Sequence, residues 1–269
     1  MALERLDPDD VPLWARHYAD HVARYSLAAE RAAGKRVLDV GTGPGYGAVI
    51  LRAAGAASVT AIDFDAATVA AAHKRYARPG VTYAVGDAEM LDGLGPFDLV
   101  CSFENIEHLP HPERFVTAAA RVLAPDGVLL CSTPDRRATP PFVNGRPANP
   151  YHINEWHIEE FRALLLAGFE SVDLRAQVRG YGLAVREEAA LGARAALGVH
   201  DTFVQRSFGA RLRRLLGRTH WLDAARAGVE AAVALGTASP ADYPVLPLET
   251  ASLFWHPFCH FAVCTRPKG

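Results

Sequence analysis

The run Val37-Leu-Asp-Val-Gly-Thr-Gly-Pro-Gly-Tyr-Gly47 constrains the fold more than any other part of the chain. Arg36 to Val40 is short, apolar and rich in β-branched residues, which reads as a buried strand closed by Asp39. Glycines then alternate at Gly41, Gly43 and Gly45, and the alanine-rich segment from Ala48 to Ala56 reads as a helix. Strand, glycine turn and helix form the first half of a nucleotide-binding βαβ unit. Without a Cβ, these glycines adopt dihedrals closed to other residues and let a ligand touch the main chain.

Two cofactor frames compete for this loop. A dinucleotide fingerprint, G-x-G-x-x-G or G-x-G-x-x-A, fails from Gly41 because Tyr46 takes the sixth position. From Gly43 it reads Gly43-Pro-Gly45-Tyr-Gly-Ala48 and matches, but the turn then begins late. The other frame, D-x-G-x-G-x-G, uses Asp39, Gly41, Gly43 and Gly45 together. It resembles motif I of the class I S-adenosylmethionine (SAM) methyltransferases, whose loop wraps the methionine part of the cofactor. An acidic strand end suits a ligand bearing an ammonium and a sulfonium. It suits a pyrophosphate poorly, because like charges would meet.

Downstream residues decide between the frames. Ser58-Val-Thr-Ala-Ile-Asp63 reads as the second strand, ending in a carboxylate able to accept both ribose hydroxyls. A dinucleotide fold shares that feature. Val81 to Ala88 reads as the third strand and its exit, and Gly86-Asp87-Ala88 resembles the methyltransferase motif that meets the adenine. Two acidic strand ends at these spacings favour SAM. The resemblance implies cofactor contacts from Asp39, Gly41, Thr42, Gly43, Gly45, Asp63, Phe64, Asp87, Ala88 and Phe103, and from Tyr25 or Arg24 in a helix spanning Val11 to Ala33 that precedes motif I.

The remaining pattern is α/β. Phe97 to Ser102 reads as a fourth strand, and Val122 to Pro134 as a helix end, a turn at Pro125-Asp-Gly127 and a fifth strand. Ile158 to Ala167 reads as a helix, Phe169 to Val178 as a sixth strand and His260 to Arg266 as the last. The expected architecture is a doubly wound, mostly parallel seven-stranded sheet of Rossmann-like class I methyltransferase type. The resemblance implies that its last strand is antiparallel and inserted between the fifth and sixth. The expected domains are an N-terminal helical lid (1–33), a SAM-binding core (34–182 with 258–269) and a helical cap (183–257). The cap includes an arginine-rich stretch, Ser207 to Arg218, and an aromatic cluster, Phe254 to Phe258.

Composition narrows the function. With 28 Lys and Arg against 30 Asp and Glu, the net charge of −2 leaves no electrostatic footprint for nucleic acid. No apolar run approaches the roughly 18 residues of a membrane span, and the first ten residues have no apolar signal core. The four cysteines form no C-x-x-C pair, as expected of a reduced, cytoplasmic chain.

Acceptor chemistry is expected after the fourth strand, where Phe103 is followed by Glu104-Asn-Ile-Glu107-His108. This E-x-x-E-H run resembles the metal-binding motif of ubiquinone-biosynthesis and small-RNA 2′-O-methyltransferases. Tyr151-His152-Ile-Asn-Glu155-Trp156 resembles the histidine segment after the fifth strand there. The resemblance implies Mg²⁺ or another divalent cation on Glu104, Glu107, His108 and His152, lowering the pKa of an acceptor hydroxyl. Without a metal, His108 or His152 is the general-base candidate. The expected function is SAM-dependent methylation of a small-molecule or glycan acceptor, with oxygen favoured. An N- or C-methyltransferase and a non-catalytic SAM-binding protein are the alternatives.

Overall fold

The computed structural model describes residues 11–139, 142, 145–178, 243–251 and 257–268. The expected cap lies outside the described residues except for 243–251 and Pro257, and with it the whole Ser207–Arg218 stretch.

Chain order gives α1 (Val11–Ala29), β1 (Arg36–Val40), α2 (Tyr46–Ala53), β2 (Ser58–Asp63), α3 (Ala66–Tyr76), β3 (Val81–Val85), β4 (Phe97–Phe103), a 3₁₀ turn (Ile106–His108), α4 (Pro112–Val122), β5 (Leu123–Pro134), α5 (Ile158–Leu165), β6 (Phe169–Val178), β7 (Val245–Pro247), α6 (Leu248–Ala251) and β8 (Pro257–Pro267). Local chemistry sets the helix starts. Asp65 accepts from the Thr68 N–H at 2.9 Å and caps α3. Pro112, which has no N–H to leave unsatisfied, opens α4.

The strand order is β3-β2-β1-β4-β5-β8-β6-β7. Strands β3 to β5 pair in parallel, and β8 runs antiparallel between β5 and β6. Alternation along the strands serves two apolar layers. Leu38, Val40, Val100, Leu129 and Cys131 face Phe115 of α4 and Phe161 of α5. Val37, Leu99, Cys101 and Leu130 face Tyr25 of α1, Leu51 of α2 and Val69 of α3.

Three departures from expectation have local causes. The sheet has eight strands rather than seven, because Val245–Pro247 pairs antiparallel with Arg175–Gln177 of β6. That part of the expected cap therefore lies on the sheet edge. The Pro125-Asp-Gly127 turn is a bulge inside β5: Phe97 pairs with Leu123 and Leu99 with Val128, so the intervening residues loop out. Helix α1 ends at Ala29, four residues before Ala33, and Gly34 (φ 71°) turns the chain into β1 with its N–H donated to the Gly55 carbonyl at 2.8 Å. Among the described residues, no helix is long and apolar enough to cross a membrane.

Helix α1 is fastened through a buried cation. Arg24 donates from Nη1 to Gln177 Oε1 at 2.9 Å, and the same nitrogen lies 3.6 Å from Glu104 Oε1. Gln177 in turn donates to the carbonyls of Asp20 (2.9 Å) and Tyr243 (3.1 Å). A guanidinium this deep is tolerated only with partners in place. Arg24→Met is expected to lower stability in urea denaturation by about 3–5 kcal/mol, the cost of stranding one member of a buried pair. The Arg24→Met/Glu104→Gln double variant is expected to recover part of that loss, and equal losses would show that the pair is not coupled.

Candidate active site

The glycine turn joins β1 to α2 at the carboxyl edge of the sheet. Gly41, Gly43 and Gly45 all take positive φ (71°, 52° and 89°), so each needs the freedom that glycine has. The Gly41 and Thr42 N–H groups both donate to the Ile62 carbonyl at 2.9 Å. A Cβ on Gly41 would lie 2.6 Å from the Asn105 side chain, and one on Gly45 2.7 Å from Ala72 and 2.8 Å from Tyr83. Above Gly43 nothing lies within 4 Å, so a ligand can reach the main chain there.

Two carboxylates brace the turn. Asp39 is fully buried; its Oδ1 accepts from the Tyr25 hydroxyl at 2.9 Å and its Oδ2 from the Thr42 hydroxyl at 2.6 Å. Asp63 Oδ2 accepts from the Gly43 N–H at 3.0 Å, and Oδ1 from the Asp65 N–H at 3.1 Å. Asp39 thus shapes the loop from beneath. Tyr25 and Phe103 are placed likewise: both are buried, with ring centroids 5.0 Å apart. Tyr25, expected to reach the cofactor carboxylate, donates to Asp39 instead, and Arg24, the alternative, turns to Glu104 and Gln177. The reason is position. A Cβ on Gly47 would fall 2.0 Å from the Tyr25 ring, so α1 packs directly over the start of α2.

At the ends of β2 and β3 the surface changes character. Phe64 is 64% exposed and Met90 70%, and Asp87 is exposed, with Oδ1 accepting from the Glu89 N–H at 2.8 Å. Ala88 is buried. Large apolar side chains left exposed beside a carboxylate suit a flat heteroaromatic base. Together with the opening above Gly43, this edge fits a nucleoside cofactor. The glycine turn leaves β1 beside β4, where the strand order reverses and open α/β sheets bind ligands, and the β2 and β3 ends continue the same carboxyl edge.

The second cluster follows β4. Glu104 takes φ 51°, unusual for a residue with a side chain, and its Oε1 accepts from Ser132 Oγ at 3.0 Å and from Cys259 Sγ at 3.3 Å beside Arg24. One ligand atom from each of Glu107, His108 and His152 lies within 4.8 Å of the others. The expected four-residue metal set is therefore only partly assembled: Glu104 stands apart, neutralised by Arg24. Burial, with the Glu104 charge nearby, pushes the Glu107 carboxyl well above the usual carboxylate range; its Oε2 accepts from Thr133 Oγ1 at 3.1 Å. His108 Nδ1 lies 3.0 Å from the Tyr151 carbonyl oxygen. His152 Nδ1 lies 2.8 Å from Glu155 Oε1, and Glu155 Oε2 accepts from Thr139 Oγ1 at 2.6 Å. The sequence gives no signal for Thr139 and no role for Asn149. Glu155 was legible only as the acidic member of H-x-x-E-W.

This arrangement defines an α/β domain with a glycine turn and acidic strand ends at one half of its carboxyl edge and two histidines beside a buried carboxyl at the other. The chain belongs to the methyltransferase domain family, which matches residues 13–188, and its class I architecture is that of the SAM-dependent enzymes. It is 41% identical over 167 residues to a probable SAM-dependent methyltransferase of Mycolicibacterium smegmatis, covering 61% of this chain and 63% of that one. It is 36% identical over 138 residues to a ubiquinone biosynthesis O-methyltransferase of Paramagnetospirillum magneticum, covering 51% and 55%. It is 33% identical over 164 residues to a phthiotriol/phenolphthiotriol dimycocerosates methyltransferase of Mycobacterium leprae, covering 59% and 56%. The chain thus spans between 55% and 63% of the length of these relatives. A solved SAM-dependent methyltransferase of Thermotoga maritima superposes with TM-score 0.55 at 17% identity, covering 94% of this chain and 92% of that one, and shares the fold.

Asp39 gives this half of the site a pH signature. Desolvation outweighs the hydrogen bonds from Thr42 and Tyr25 and raises its pKa from 3.8 to about 6. The folded chain therefore holds this proton more tightly than the unfolded chain. The stability it contributes is fully present below pH 3.8 and is lost as pH rises through about 6. Relative to Asp39→Asn, the parent is expected to lose on the order of 2 kcal/mol between pH 4 and pH 6.5. Urea denaturation of both across that window is the measurement, and parallel curves would show that Asp39 is ionised throughout.

Proposed function

We propose that the protein transfers the methyl group of SAM to a hydroxyl of a small-molecule or glycan acceptor, with His108 as the general base. SAM, when bound, supplies an electrophilic methyl on a sulfonium. The Gly41–Gly45 turn, Asp63, Phe64, Asp87 and Ala88 are the residues that would hold it. The chain's own task is then to take the acceptor's proton.

The observation that carries the reading is the His108 ring. A carbonyl oxygen only accepts, so the contact with Tyr151 puts the proton on Nδ1 and leaves the lone pair on Nε2. That nitrogen lies 4.0 Å from Glu107 Oε1, in a side chain that is partly exposed. An alcohol is barely ionised at neutral pH, so a base that removes its proton as the new O–C bond forms contributes on the order of 10²–10⁴-fold. Tyr151 and Ile153, 38% and 52% exposed, flank His152 in the chain and offer apolar surface to a ring-bodied acceptor. The relative named for O-methylation supports oxygen as the acceptor atom.

A second reading keeps the same pocket and adds a divalent cation on Glu107, His108 and His152. Their mutual approach favours it, and a cation would offset the burial of the Glu107 charge.

Methyl-labelled SAM incubated with a panel of alkyl glycosides, phenols and catechols tests the function. His108→Ala is expected to lower kcat by about 10² or more with the SAM Kd unchanged. Activity is expected to persist in chelator; loss restored by Mg²⁺ would favour the second reading, and full activity of His108→Ala would remove the first. In calorimetry without acceptor, Asp63→Ala is expected to weaken SAM binding by about 1–3 kcal/mol, and unaltered affinity would overturn the cofactor placement.

A further inference from the structure

Two histidines face the acceptor pocket, and their hydrogen bonds make them unlike. The His108 proton is fixed on Nδ1 by the Tyr151 carbonyl. His152 is bonded on both nitrogens: Nδ1 to Glu155 Oε1 at 2.8 Å, and Nε2 to Asn149 Nδ2 at 3.0 Å. An amide nitrogen only donates, so Nε2 is the acceptor and Nδ1 carries the proton given to the Glu155 carboxylate. The Asn149 amide cannot be turned the other way, because its Oδ1 accepts from the Tyr151 N–H at 3.0 Å. Tyr151 is thus bonded on both sides of its Cα, by Asn149 at its N–H and by His108 at its carbonyl.

These bonds link Thr139, Glu155, His152 and Asn149 in series, and the Tyr151 main chain, held by Asn149 at its N–H, presents its carbonyl to His108. Its far end is rigid, since the side chains of Glu155 and His152 are almost fully buried. Building on the base assignment above, we propose that Glu155, His152 and Asn149 are positioning residues. Glu155 fixes the His152 tautomer, His152 fixes the Asn149 amide, and Asn149 holds the Tyr151 carbonyl where it fixes the proton of His108. His152 is then the middle of a relay and not a second base. A carboxylate that acts on a base through its tautomer controls the fraction of enzyme competent to take a proton. The rings of His108 and His152, edge to face at 5.1 Å, keep the relay and the base in one packed unit.

The test uses Glu155→Gln, which keeps size and one acceptor, and Asn149→Ala, which releases the Tyr151 N–H. Both are made in the parent and in a His108→Ala background. Side-chain ¹⁵N–¹H correlation spectra of the full chain without ligand are expected to show His108 protonated on Nδ1 in the parent. Asn149→Ala is expected to populate the Nε2–H form. With the panel acceptor that turns over fastest, each variant is expected to lower kcat on the order of tenfold in the parent, a part of what a general base contributes, and to change it less than about twofold in His108→Ala. The SAM Kd is expected to stay constant throughout. An unchanged His108 tautomer in Asn149→Ala, or equal losses in both backgrounds, would mean that the three residues only pin the loop and would overturn the relay. Full activity of His108→Ala alone would overturn the base assignment, and the relay with it.

Discussion

Asp39 is a carboxylate at the end of the central parallel strands, cut off from water and bonded to two hydroxyls. Each bond fixes a different part of the site. The Thr42 hydroxyl holds the glycine turn down on β1, and the Tyr25 hydroxyl ties α1 to the end of β1. Neither donor can be swapped for a hydrocarbon without leaving a buried oxygen unpaired. Burial, with Asp39 beside it, also pushes the Tyr25 phenol well above its ordinary range, so it stays a donor at neutral pH. The positive dihedrals of Gly41, Gly43 and Gly45, and the opening over Gly43, depend on this anchor together with the Asp63 bond to the Gly43 N–H.

The acceptor half is built differently. Its scaffold is the loop between β5 and α5, sewn to the 3₁₀ turn by main-chain bonds. The Glu107 carbonyl accepts from both Ile153 (2.9 Å) and Asn154 (3.1 Å), and Asp135 bridges to Trp156. Glu107 is therefore two things at once, a buried carboxyl facing two histidines and the backbone post on which their loop hangs. A substitution of its side chain leaves the post in place, which separates chemistry from folding at this position.

The cofactor half was legible in the sequence because it is written locally. Glycines at alternate positions and carboxylates at strand ends follow from the geometry of a βαβ unit, whatever the rest of the chain does. The parallel run of β1 to β5 followed from the alternation of strands and helices, whereas the antiparallel place of the last strand was implied by the family resemblance. What was not legible depends on contacts far apart in sequence. Nothing near Glu104 announces that Arg24 will neutralise it, so the spacing grouped Glu104 with Glu107 and His108, whereas the fold draws it to Arg24. Nothing near Tyr25 announces Asp39. Val245–Pro247 is too short to carry a strand signal and is a strand only because β6 offers it an edge.

Helix α1 connects the two halves more directly than the sheet does. Arg24 and Tyr25 are consecutive, and on a helix consecutive side chains diverge by about 100°. Tyr25 therefore reaches the β1 end and the glycine turn while Arg24 reaches the β4 end, β6 and β8. Both are buried, so α1 cannot move to relieve one contact without straining the other. The carboxylate beneath the turn and the Glu104 carboxylate after β4 are in this way fixed relative to each other by one turn of helix. A single helix gripping both strand ends leaves no hinge between the two halves of the carboxyl edge.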